Sequence, residues 1–78
     1  MRIKFKSRRE GPVALQALVA IPTARGQTEE VIVHRGDLVE GSLEVTYIGE
    51  RDDLLLVELP RQSVSGRWRV WVTKAAVA

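Results

Sequence analysis

Arg67-Trp68-Arg69-Val70-Trp71-Val72-Thr73 is the stretch that decides the fold class. Its period of two is that of a half-buried strand. Trp68, Val70 and Val72 are expected to face a core, with Arg67, Arg69, Trp71 and Thr73 on the other face. Upstream, Leu54 to Leu59 is an almost continuous apolar run that Pro60 ends. Such a run suits a central strand, and proline rarely continues one. The polar segment Arg61 to Gly66 between them reads as a turn.

Working outward, Leu43 to Ile48 alternates again. Leu43, Val45 and Tyr47 fall on one face, and Glu44, Thr46 and Ile48 on the other. Gly49-Glu50-Arg51-Asp52-Asp53 has the chemistry of a charged hairpin turn. Glu30 to His34 is a strand by its Val-Ile-Val centre, and Arg35-Gly36-Asp37 a turn. Arg2-Ile3-Lys4-Phe5-Lys6 is a strand with Ile3 and Phe5 inward. Ser7 to Pro12 reads as a polar turn, and Pro22 to Thr28 as a loop. Val13 to Ile21 fits two readings. Its Ala, Leu and Gln content would place Leu15, Leu18 and Val19 on one helical face, whereas its β-branched ends and Pro22 favour a strand. The strand is preferred, with the helix kept open.

These elements make one domain over residues 1–78: five or six short antiparallel strands joined by tight polar turns. A chain of this size buries only about 60% of its unfolded surface. With no cysteine and one histidine, His34, disulfides, thiolate metal sites and polyhistidine metal sites are excluded. Stability must come from apolar packing or from contacts between subunits. No stretch approaches the roughly 18 apolar residues of a membrane-spanning helix. The basic N-terminal residues precede no apolar run, so a signal peptide is not expected, and the absence of cysteine fits a reducing cytoplasm.

The order of elements from Val31 to Val77 resembles that of SH3-like small barrels: a strand, Arg35-Gly36-Asp37-Leu38-Val39, then Leu43 to Gly49, a charged turn, Leu54 to Leu59, a second turn, Arg67 to Val72 and a closing Lys74-Ala75-Ala76-Val77. The resemblance implies a closed all-β barrel. Val31 to Val45, with Gly36 and Gly41 between apolar positions, is also faintly similar to the first motif of Sm-like proteins. Those form RNA-binding rings and carry an N-terminal helix, which a helical Val13 to Ala20 would supply. Their basic-Gly-polar turn is replaced here by Thr73-Lys74-Ala75-Ala76. Plasmid-type dihydrofolate reductases share the size and strand order, but Arg69-Val70-Trp71-Val72 stands where their Val-Gln-Ile-Tyr signature would fall.

Charge is segregated. Residues 1–12 carry +4, residues 13–60 carry −6 and residues 61–78 carry +4. In an SH3-like barrel the two ends lie together. Lys4, Lys6, Arg8 and Arg9 would then join Arg67, Arg69 and Lys74 in one basic surface able to neutralise phosphates, with Trp71 stacking on an unpaired base. The plainer reading is a set of solubilising charges that protect edge strands. The competing functional class is a protein-interaction module or regulatory subunit. It would use Tyr47, Ile48, Leu54, Leu56 and Trp71, aromatic and aliphatic side chains placed away from the expected core. Those side chains would equally suit a homo-oligomer. His34 has no neighbouring nucleophile or carboxylate cluster in the sequence, and no glycine-rich phosphate loop is present. A non-catalytic binding module needing no cofactor is therefore expected, with nucleic acid as its first partner and protein as the alternative.

Overall fold

The computed structural model describes all 78 residues. It contains nine strands: β1 (Arg2–Lys4), β2 (Ser7–Glu10), β3 (Gln16–Pro22), β4 (Thr28–His34), β5 (Leu38–Val39), β6 (Ser42–Glu44), β7 (Thr46–Arg51), β8 (Leu54–Glu58) and β9 (Arg69–Thr73). Short 3₁₀ turns occupy Ala24–Gly26, Arg35–Asp37 and Lys74–Ala76. The strands form three antiparallel sheets of three, in the orders β1-β6-β5, β2-β3-β4 and β7-β8-β9.

No sheet closes into a barrel, so the expectation of an SH3-like barrel is corrected, and with it the fainter Sm-like alternative. Closure requires hydrogen-bond ladders that run continuously around the sheet. Here they break at each corner. β6 and β7 are separated by Val45, whose N–H donates to the Met1 carbonyl at 2.8 Å. β1 and β2 are separated by Phe5 and Lys6, whose N–H groups donate to the carbonyls of Gly41 and Ala20. These hydrogen bonds extend the first and second sheets by a residue, and none carries a ladder from one sheet into the next. β9 has no strand on its far side, and β2 is another free edge.

Two local readings also change. Ser7–Glu10 is a strand, not a turn. It pairs with β3 through its backbone while all four of its side chains stay exposed. With no apolar face to bury, it leaves no periodic signal, and its charges guard an edge. The helical option for residues 13–21 fails: Gln16–Pro22 is a strand, alternating half-buried and buried residues. Its register with β4 runs from Gln16 opposite His34 to Pro22 opposite Thr28.

One core of thirteen residues is shared by all three sheets. Ile3 and Leu43 come from the first sheet. Val19, Ile21, Val31 and Val33 come from the second, and Leu55, Val57, Val70 and Val72 from the third, with Val45, Leu59 and Ala76 between elements. β8 is the central strand of its sheet, as its apolar run foretold. Chain ends meet through a bridge between Ile3 and Val77. Leu43 is fully buried on the middle strand of its sheet, opposite both Ile3 and Leu38. Leu43→Ala is expected to cost about 3 kcal/mol through the cavity it leaves, read as a lower urea midpoint with an unchanged slope.

Candidate functional site

The two tryptophans exchange the places that strand alternation assigns them. Trp68 is 53% exposed, whereas Trp71 is half-buried. Trp68 precedes β9 and lies opposite Leu59, to which its carbonyl is hydrogen-bonded at 2.8 Å. Its partner Leu59 is buried in the core, yet the Trp68 side chain stays in solvent. Trp71 faces away from the core, opposite Leu56 on β8. Arg51 approaches it, with the guanidinium carbon 6.0 Å from the ring centroid, at the outer limit for a cation–π contact.

Other large apolar side chains lie outside in local groups. The β2–β3 hairpin ends in Pro12-Val13-Ala14-Leu15, all exposed. Its neck is tight: Gly11 donates to the Gln16 carbonyl at 3.1 Å, and a Cβ on Gly11 would come within 2.7 Å of the Gln16 Cβ. Leu15 is 61% exposed and has φ +67°, a left-handed conformation that a leucine adopts only at a cost. Val64 and Trp68 belong to the segment between β8 and β9. Tyr47 and Ile48 sit at a bulge in β7. The domain thus presents an exposed apolar and aromatic surface that includes Leu15, Tyr47, Val64 and Trp68.

The segment carrying Val64 and Trp68 is held by a polar network. The buried Ser63 hydroxyl donates to Glu29 Oε1 at 2.8 Å and accepts from the Arg67 N–H at 3.0 Å. Ser65 donates to the same carboxylate oxygen, and Arg67 Nε lies 3.5 Å from Glu29 Oε2. Val64 N–H donates to the Glu30 carbonyl on β4.

The bases of the two chain ends have several kinds of partner. Arg67, Arg69 and Trp71 do come together, lining a groove of about 550 Å³ between the β3–β4 connection and the third sheet. Arg25, Arg51 and Leu54 join them there, with Glu29 and Asp52. Lys4 reaches the Ala75 carbonyl and Lys6 the Thr28 hydroxyl. Neither they nor Arg8, Arg9 and Lys74 line the groove. Carboxylates hold most of the remaining bases: Arg9 with Glu30 at 3.1 Å, Arg69 with Glu58 at 3.2 Å and Lys74 with Glu50 at 3.4 Å. Of the aliphatic set, Leu54 and Leu56 share the outer face with Trp71, whereas Tyr47 is in register with Val57 on the opposite face and donates to Glu50 Oε1.

The chain matches no family model, no curated protein and no solved structure.

Sequence reasoning missed Arg25, Arg51, Val13, Leu15 and Val64. Arg25 sits in a turn and Arg51 at the end of β7, where charge is ordinary, and only tertiary structure brings them beside Trp71. The apolar hairpin tip did leave a signal: an apolar run directly after Gly11-Pro12, a turn dipeptide. His34 serves the fold, its Nδ1 accepting from the Gly36 N–H at 3.0 Å.

Ser63→Ala would remove the acceptor of the Arg67 N–H and one donor to Glu29. A loss of about 1–2 kcal/mol is expected from such a partly buried network. The accompanying sign is faster hydrogen exchange at the Val64 and Arg67 amides than elsewhere.

Proposed function

We infer that this domain is a non-catalytic protein-interaction module that binds a partner protein through its exposed aromatic and aliphatic surface. The observation that carries this reading is where the large side chains lie. Eight large apolar residues are exposed, among them one of the two tryptophans. Single exposed apolar residues are ordinary, but these occur in local groups: Val13 with Leu15, Tyr47 with Ile48, Val64 with Trp68. Grouped apolar and aromatic side chains of this kind are typical of association surfaces.

Leu15 adds to the case. Folding gains little from an exposed leucine in a left-handed turn, where glycine would fit without strain. A leucine there has value if its side chain meets something outside the chain. A phosphate-binding surface, by contrast, needs free cations, and Arg9, Arg67, Arg69 and Lys74 are each paired with a glutamate.

Two measurements test the reading. Leu15→Gly is expected to stabilise the free domain by about 0.5–1 kcal/mol, by relieving the left-handed residue; destabilisation would show that folding itself uses the side chain. In affinity capture at high salt, the chain should retain at least one protein, a second copy of itself included, that Val64→Ser/Trp68→Ser retains several-fold less. Equal retention by the two forms, or single-stranded oligonucleotide binding that is tight and untouched by the substitutions, would overturn it.

A further inference from the structure

We propose that the groove beside β9 is a second contact site, which takes an extended acidic segment of a partner protein and seats its apolar side chains on Leu54 and Trp71. This rests on the reading that the domain binds protein, and adds a site distinct from the exposed apolar groups.

The groove has two chemical parts. Its floor includes Leu54 and Trp71 on the outer face of the third sheet. Its rim carries four arginines, Arg25, Arg51, Arg67 and Arg69, against two carboxylates, Glu29 and Asp52. Arg67 and Arg69 are oriented by Glu29 and Glu58. Arg25 and Arg51 enter no ion pair. They are the free cations of the groove, and guanidinium groups suit carboxylates because the planar fork donates two parallel hydrogen bonds. Arg25 also has φ +64° within an exposed turn, just before Gly26 at φ +71°. As with Leu15, a strained non-glycine residue whose side chain serves no internal contact fits an external role.

The same details favour an acidic peptide over nucleic acid. Single-stranded nucleic acid is held by a continuous positive track and successive stacking aromatics. This groove has one aromatic side chain, already approached by Arg51, which offers no platform for successive bases to stack on. An extended peptide alternates side chains across its axis. It can therefore send carboxylates to the arginines and aliphatic groups to Leu54 and Trp71. A volume of about 550 Å³ holds a few side chains, not a folded domain.

The test uses Trp68→Phe, which leaves Trp71 as the sole tryptophan, and follows its fluorescence. The probes are a short peptide alternating glutamate with leucine, its glutamine counterpart, and a single-stranded oligonucleotide. Saturable binding of the glutamate peptide is expected, with the glutamine peptide weaker by about tenfold or more, the effect of losing charge-assisted hydrogen bonds. Arg25→Gly and Arg51→Gln should each weaken glutamate-peptide binding by about tenfold on the same grounds. Both positions are exposed turn or strand-end sites without ion pairs, so folding should survive, and Arg25→Gly suits the left-handed backbone. Arg35→Gln, outside the groove, should leave binding unchanged. The proposal is overturned by equal affinity for the two peptides, by arginine variants that bind like the parent, or by an oligonucleotide bound more tightly than the glutamate peptide. Partner capture through Val64 and Trp68 is measured separately, so the groove can fail while that reading stands.

Discussion

Three sheets that never join through a ladder are held together by one small core. Thirteen buried side chains supply that core, and each sheet contributes apolar residues from one face only. Burial of this apolar area is the main term available to a chain without disulfides or other cross-links. At the corners, Val45 and Phe5-Lys6, the backbone passes from one sheet to the next, and the Val64 N–H to Glu30 carbonyl bond ties the β8–β9 connection to the second sheet. Side-chain packing, more than sheet continuity, sets how the sheets lie.

This arrangement explains why so much that is useful to a binding protein lies at the margins. A closed barrel abolishes its edges. Here β2 and β9 keep theirs, and the gap between the β3–β4 connection and the third sheet stays open as a groove. Trp68 and Tyr47 are exposed at the third sheet, although they lie opposite the buried Leu59 and Val57. Glu29 limits the loosening. It lies at the inward register of β4 and gathers Ser63, Ser65 and Arg67, which fastens the long β8–β9 connection to the second sheet.

Charge follows the same logic. The sequence separates basic ends from an acidic middle, and folding brings them back together. The middle glutamates Glu29, Glu30, Glu50 and Glu58 pair with bases from the two ends. Such exposed pairs contribute little to stability, on the order of 0–1 kcal/mol each, but they remove the uniform positive field that the linear charge pattern suggests. The groove keeps local positive character because Arg25, in a turn, and Arg51, at the end of β7, enter no ion pair.

The sequence by itself determined the class of structure and most of its strands. Alternation placed Ile3, Leu43, Val45, Val70 and Val72 in the core, and the almost continuous apolar run at Leu54 to Leu59 marked the central strand, because burial on one face or two leaves a direct trace in hydrophobic order. It did not reveal β2, whose backbone pairs while its side chains stay wet, nor the places where ladders break, because a corner is decided by distant carbonyls. Only the tertiary structure decided that the sheets stay open, that Trp68 lies outside and Trp71 half inside, and that Arg25 from a turn and Arg51 from a strand end meet beside Trp71. Each of these depends on how the three sheets and their connections are placed relative to one another, which no local pattern encodes.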